Sequence, residues 1–351
     1  MATAQAGLVS VAQCDAHGVL RGTRARLITS GRWSRPTRGV FDVTGVPERR
    51  RHPDDRRLRA AWLGMLAYGP EAIAVGACAL VLHGVAGLAI RLQPQVALPA
   101  GRHLAPRDGM GVRRFDGFGT TRWGGRVIAT IDDALVQALP ELPRNEAVAV
   151  VDSALNRRLI DVGRLERVRS RLRGRRGAAG VDAWWGLVDG RSESPLETEA
   201  RLTCVDAGMP PDELQVEIND AAGRFVARGD LGWRLRGGRW LLAEVDGKEI
   251  HDAPQALYGD RERQNRLLTT GEVDLLRFIR ADFRTTLTST VGAHLARDRS
   301  AARRPVADAR INAGKRASST ARRLNDPAVA TNGGIGTVPG REACTSNRWG
   351  G

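Results

Sequence analysis

Lysine is nearly missing from this chain. Of its 54 basic residues only Lys248 and Lys315 are lysines, leaving 54 − 2 = 52 arginines, a skew closer to codon bias than to selection for one partner. Cysteine is scarce too, and Cys14, Cys78, Cys204 and Cys344 lie far apart. They offer neither the paired spacing of a zinc site nor a disulfide framework, which fits a reducing cytoplasm. Long apolar runs are lacking as well. The longest, residues 72–90, is broken by Gly, Cys and His and falls short of the roughly 20 apolar residues that span a bilayer. No basic start followed by an apolar stretch opens the chain, so secretion is not expected.

What is there is length and positive charge. The 351 residues, 42% of them hydrophobic, suit two or three domains at roughly 100 to 200 residues each. The formal net charge is +15. From Thr285 onward eleven basic residues stand against four acidic, +7, so 15 − 7 = +8 remains on the body. Positive charge on both parts favours a polyanion, most simply nucleic acid, bound through counterion release. Solvated arginine without any partner is the competing reading.

The first segment reads as helix, turn, helix, ribbon. Ser10 can cap "SVAQCDAHG", which Gly18 ends, and "LRGTRARLITSG" follows with Gly31 as its stop. In "RWSRPTRGVFDVTG" the strand formers Trp33, Val40, Phe41 and Val43 flank a Pro-Thr-Arg-Gly turn. A helix-turn-helix with a wing is the economical reading, with Arg21, Arg24 and Arg26 on or beside the second helix and Arg35 and Arg38 on the wing. These five arginines are the candidate DNA contacts; a three-helix cap with a solvated basic face is the alternative.

The charged stretch "PERRRHPDDRR" reads as a linker. Beyond it, residues 58–90 pattern as two helices joined at Gly69-Pro70, and 131–172 as two or three more, with strand-like "GRVIAT" before them. His83, alone on an apolar face, reads as a satisfied core residue. The basic run and break "RVRSRLRGRRGAAG" suggests a domain boundary. Past about Thr286 periodicity fades into Ala, Arg, Ser, Thr, Gly and Pro, which predicts disorder.

The strand "LLAEVDGKEIH" poses the central question, because Glu244 and Asp246 stand two apart within an otherwise buried pattern. Side chains two apart on a strand share a face. Before it lies "GRFVARGDLGW", another strand, with "RLRGGR" as the hairpin connection. If the loop centres on Gly237, paired positions sum to 474 and Asp230 faces Glu244; if Gly237-Gly238 form a two-residue loop, the sum is 475 and Asp230 turns away. Under the first register Asp230, Glu244 and Asp246 converge, and their repulsion calls for a cation, with hard oxygen ligands selecting Mg2+ or Mn2+. A salt-bridge cluster with the abundant arginines is the rival explanation. Upstream, Ser194-Pro195 starts an amphipathic helix and places Glu197 early in it. Downstream come the basic helix "DRERQNRLL" and a final strand containing "LLRF".

Taken in order, "SPLETEARL", "FVARGDLGW", "LLAEVDGKEIH", "DRERQNRLL" and "LLRF" resemble the very-short-patch-repair-like branch of the PD-(D/E)XK nuclease superfamily over residues 192–283. The resemblance implies a restriction-endonuclease-like α/β domain that hydrolyses DNA with a divalent ion. It makes Glu197 the helix acid, Asp230 the first metal ligand, and Glu244 and Asp246 the acids of the second strand. The superfamily's lysine falls where Asp246 stands, and Lys248 lies two positions on. His251 matches one of the histidines that follow the Asp-Gly of this branch, while Ile250 departs from the pattern. Arg263 and Asn265 match the basic helix after the site, where they would hold a phosphate or orient the acids. The N-terminal segment, in turn, is similar to the winged-helix domain of abortive-infection antitoxins of type IV toxin-antitoxin systems, which implies DNA and a cognate toxin as partners.

The chain is therefore expected to be multidomain, mainly α plus α/β. The expected layout is a winged helix-turn-helix over 1–46, a mostly helical middle domain over 56–175, the nuclease-like domain over 190–286 and a disordered basic tail over 287–351. The leading functional expectation is a DNA-binding protein with a metal-dependent endonuclease domain. The alternative is an antitoxin or autoregulator whose nuclease-like domain is degenerate.

Overall fold

Val9, Cys14 and Phe41 form a small core of the N-terminal segment, while Leu8 and Val40 pack with Trp62 and Met65 beyond it. In this computed structural model, which describes residues 1–102, 104–114, 117–219, 222–247 and 273–301, that segment contains β1 (Leu8–Ser10), α1 (Val11–Ala16), α2 (Arg21–Thr29), β2 (Ser34–Thr37) and β3 (Val40–Asp42). The three strands are antiparallel in the order β1-β3-β2. Ser10 caps α1 as its position predicts: its hydroxyl accepts the Gln13 N–H while the Gln13 side chain accepts the Ser10 N–H.

The stretch read as a linker is tied down. Arg51 and Arg59 both reach Asp42 Oδ2, at 2.6 and 2.9 Å, joining the first segment to α3 (Pro53–Ala67). Burial alone would raise the Asp42 carboxyl, but hydrogen bonds from Thr44 and the charges of Arg59 and Arg51 hold it below the usual range.

The middle region has helices within 58–90 and 131–172 and a strand at "GRVIAT", as read, and adds further short strands. It continues with β4 (Ile73–Ala74), α4 (Gly76–Leu82), β5 (Gln95–Ala97), β6 (Gly111–Arg113), β7 (Thr120–Trp123), β8 (Arg126–Ala129), α5 (Ile131–Ala138), α6 (Arg144–Asn156), α7 (Val162–Leu172) and α8 (Ala178–Trp184). The five strands form one mixed sheet, β6-β5-β4-β8-β7. Strands of two to four residues are too short to show a period of two, which is why most of them escape a pattern-based reading. The α4 to α8 helices pack into one core with Leu80, Leu135, Val148, Val168 and Trp184. The basic run after 167 is part of that core through Val168 and Leu172. His83 is satisfied as expected, its Nε2 lying 2.8 Å from the Ala129 carbonyl. Gly87, at φ +98°, sits so close to α6 that a Cβ there would meet the Ala149 backbone at 2.9 Å.

The C-terminal part contains α9 (Pro195–Asp206), β9 (Glu213–Asn219), β10 (Phe225–Arg234), β11 (Trp240–Asp246), β12 (Val273–Ile279) and α10 (Thr286–Ala301). Its sheet runs β12-β11-β10-β9, antiparallel except for the β11–β12 pair. Ala200 and Cys204 of α9 and Leu287 and Val291 of α10 cluster with Leu231, Trp233 and Leu241. Val216, Ile218, Leu242 and Val273 form a second cluster. The helix α10 corrects the expectation of disorder from residue 287: Leu287, Val291 and Leu295 return at helical spacing within an Ala-, Ser- and Thr-rich stretch that masks them. Residues 302–351 of the expected tail lie outside the described residues. Among the described residues there are ten α-helices and three sheets, a mixed α/β protein, and no helix is long and apolar enough to cross a membrane.

Two cores share α9. Leu202 belongs to the middle core, whereas Ala200 and Cys204 belong to the C-terminal one. The join is pinned by a buried ion pair in which Arg201 Nη2 lies 2.7 Å from Asp152 Oδ2, with 7% and 1% of the two side chains exposed. Asp152 also accepts hydrogen bonds from the Thr198 hydroxyl and the Asp189 N–H. Burial still pushes its carboxyl up to about 6 against the pull of Arg201.

Removing one member of such a pair strands the other charge. Asp152→Ala should lower unfolding stability by about 3 to 5 kcal/mol. Arg144→Ala, which removes the exposed bidentate pair to Asp206, should cost about 1 kcal/mol or less. Urea denaturation of the two variants checks the contrast, and equal losses would contradict it.

Candidate functional site

A five-residue connection, 235–239, joins β10 to β11, closed by the Leu235 N–H to the Arg239 carbonyl at 2.8 Å. Gly237 and Gly238 take φ of +70° and +79° in it, conformations that glycine adopts without strain. The paired residues are Leu231 with Ala243, Trp233 with Leu241 and Arg234 with Trp240, so each pair sums to 474. Continued one step further, that register would bring Asp230 opposite Glu244.

The ladder does not continue regularly through that step. On the β9 side the pairs run from Gly229 with Val216 to Leu231 with Leu214, passing over Asp230. On the β11 side they stop at Leu231 with Ala243. In the gap, the Asp230 carboxylate takes a strand N–H for itself: Val245 donates to Oδ2 at 2.8 Å. Gln215, across β9 from the same point, has a left-handed backbone at φ +55°. Such a conformation costs a non-glycine residue about 1 to 2 kcal/mol. Breaks of this kind re-aim side chains, and they gather next to functional sites.

Glu197 enters from α9. Ser194 caps that helix, accepting the Glu197 N–H at 3.2 Å, and Glu197 Oε2 accepts the Glu193 N–H and the Gln215 Nε2 amide, both at 2.8 Å. Glu244 Oε2 lies 3.0 Å from Arg277 Nε on β12. Asp230 is thus surrounded, and its carboxyl is pushed up to about 6. Burial is the main cause, Glu197 and Glu244 add to it, and the Val245 N–H and Arg228 oppose it. Asp246 is exposed at the end of β11. It borders two spaces: a pocket of about 400 Å³ shared with Asp230, Glu244, Arg228 and Phe225, and a cleft of about 830 Å³ shared with Glu197, Arg57 and Arg280.

A half-buried carboxylate held up by two acidic neighbours gains from positive charge, which a hard divalent cation would supply. Among the described residues no three His, Cys, Asp or Glu side chains are grouped closely enough to hold a metal, so the fit rests on Asp230 and Glu244 as a pair. Lys248, His251, Arg263 and Asn265, and with them Ile250, lie outside the described residues. Sequence reasoning missed Gln215, Arg228 and Arg277. Gln215 had no visible signal, since a left-handed residue inside "ELQVEIN" leaves strand composition unchanged. Arg277 was detectable in principle as the one charge inside "LLRF".

In the N-terminal segment Arg21, Arg26, Arg35 and Arg38 are exposed and have no acidic partner among the described residues. Arg24 turns inward instead. It is 8% exposed, pairs with Asp15 and lies 5.9 Å from the centre of the Phe41 ring, where it braces α1 against α2.

Two uncharacterized proteins of Mycobacterium tuberculosis, one from strain CDC 1551 / Oshkosh and one from strain ATCC 25618 / H37Rv, are each 31% identical to this chain over 175 residues. The match covers 50% of this chain and 63% of theirs, less than two thirds of the relatives' length. No protein-family model matches the chain.

The raised Asp230 carboxyl has a signed consequence. Between about 3.8 and about 6 the folded chain holds this proton more tightly than the unfolded chain does, so stability falls as pH rises through that window. Asp230→Asn keeps an acceptor for the Val245 N–H and removes the charge. It should raise the melting temperature in metal-free buffer above pH 6, with the gain vanishing by about pH 4. Calorimetric melting across that range is the check, and a loss of stability at neutral pH would contradict it.

Proposed function

We propose that this protein binds DNA through its N-terminal segment and hydrolyses phosphodiester bonds at the acidic break in its C-terminal sheet. The observation that carries the reading is the half-buried Asp230 carboxylate, close to Glu244 and Glu197, at the point where both strand ladders lapse. The helix, strand hairpin and final strand follow the order that the PD-(D/E)XK resemblance implies, which supports the same reading. Asp230 and Glu244 would hold Mg2+ or Mn2+, which when bound supplies Lewis-acid polarisation of the scissile phosphate and lowers the pKa of attacking water. Val245 fixes the Asp230 carboxylate through its N–H, and Gln215 orients Glu197, so neither acid needs to reorganise when substrate arrives. Arg228, which reaches Glu193 at 2.7 Å, borders the same pocket and would stabilise charge on the phosphate.

Arg21, Arg26, Arg35 and Arg38 would contact phosphates of duplex DNA. Arg24 keeps its internal role and is not among them. A toxin partner and a place in phage defence or DNA repair belong to the same proposal and rest on the two resemblances alone, while a cytoplasmic location rests on the scattered cysteines.

One observation favours a second reading. The Glu244–Arg277 pair neutralises one of the two ligands, as a structural ion pair would in a DNA-binding antitoxin or autoregulator with a degenerate site. Incubation of the full chain with supercoiled plasmid and Mn2+ separates the two. The nuclease reading expects nicking that Asp230→Asn and Glu244→Gln each abolish while DNA affinity is kept. DNA binding with no nicking in any divalent ion would favour the regulator.

Changing Arg21, Arg26, Arg35 and Arg38 together to Ala should weaken duplex binding and flatten its dependence on log salt by about 0.9 for each phosphate that is no longer neutralised. Binding that is unchanged at every salt concentration would remove the N-terminal segment from the interface.

A further inference from the structure

The basic run after residue 167 plays no part in the acidic site, yet it borders a pocket of its own. Arg171 and Arg175, at and just beyond the end of α7, line a space of about 210 Å³ together with Arg114, Asp133, Gln137 and Phe118. We propose that this pocket binds a phosphoryl group through Arg114, Arg171, Arg175 and the Gln137 amide.

Charge is the first support. Three guanidinium groups face one carboxylate, 3 − 1 = +2, and that carboxylate is already engaged. Asp133 accepts the Thr130 hydroxyl at 2.6 Å and the Gly119 N–H at 3.0 Å, and it pairs with Arg171. Its role is to orient Arg171, whose remaining donors are available. Arg114 and Arg175 have no acidic partner among the described residues, and an anion bound between them would relieve their repulsion.

The buried amide is the second and independent support. Gln137 is 6% exposed, and its Oε1 accepts the Gly76 N–H at 2.9 Å. That bond turns its NH2 group away from Gly76. This group has no hydrogen-bond partner among the described residues, although the side chain lines the pocket. An amide donor on the pocket wall is one that a phosphate oxygen would satisfy. Guanidinium forks match phosphate oxygens in geometry as well as charge. Size narrows the ligand: the space lies below the roughly 300 Å³ at which drug-sized ligands are enclosed, so it admits a phosphoryl group and not a whole cofactor.

The phosphoryl group has two sources, free phosphate or pyrophosphate and the backbone of a nucleic acid, and one pair of titrations distinguishes them. Calorimetric titration of the full chain with pyrophosphate is compared with anisotropy titration of a blunt duplex lacking terminal phosphates. Both use wild type and the double variant Arg114→Ala, Arg175→Ala, whose side chains are exposed and whose removal should leave melting unchanged. A drop of about tenfold or more in pyrophosphate affinity with duplex binding unchanged identifies a small phosphate ligand. A comparable drop for the duplex, with a salt slope lowered by about one to two, identifies the nucleic-acid backbone. Wild type that takes up no pyrophosphate, together with duplex binding that the double variant leaves unaltered, would overturn the proposal.

Discussion

The candidate site depends on one irregularity: a carboxylate has taken the place of a strand hydrogen bond. Asp230 sits where the pairing of β10 lapses on both sides, and it accepts the Val245 N–H that a regular ladder would give to a backbone carbonyl. A continuous ladder would leave no such donor for a half-buried acid. The break fixes the carboxylate, and its burial beside Glu197 and Glu244 raises its affinity for a proton or a cation.

That arrangement also needs α9 to be held rigidly, since Glu197 reaches the sheet from its first turn. The Asp152–Arg201 pair and the split of Leu202 from Ala200 and Cys204 between two cores fix this helix from both sides. The middle region therefore works as a mount for the acidic site, and the buried pair has a job that reaches beyond its modest net contribution to stability. Burial pushes the Cys78 and Cys204 thiols up to about 12, far from reactive thiolates, and Cys78 also donates to the Gln93 carbonyl and accepts the Gln95 N–H.

Much of this was readable beforehand wherever local chemistry decides the structure. Ser10, Gly18, Gly31 and Ser194 bounded their helices as cap and stop rules require, and the spacing of Asp230 and Glu244 about Gly237 left the observed register as one of two choices. What was not readable depends on partners distant in sequence. The five-stranded middle sheet pairs strands of two to four residues drawn from segments up to about fifty residues apart, so only "GRVIAT" announces itself. Arg24 looks like its exposed neighbours until Asp15 and Phe41 are brought against it. Gln215 shows its left-handed backbone and its bond to Glu197 only in the folded sheet.

The central claim is that the break at Asp230 is a cation site and not a salt-bridge cluster. Anomalous diffraction from crystals of the full chain soaked in Mn2+ tests it most directly. The account predicts a peak bonded to both Asp230 and Glu244, with Arg277 displaced from Glu244. Crystals that show no peak at the break, and Arg277 still bound to Glu244 in saturating Mn2+, would contradict it.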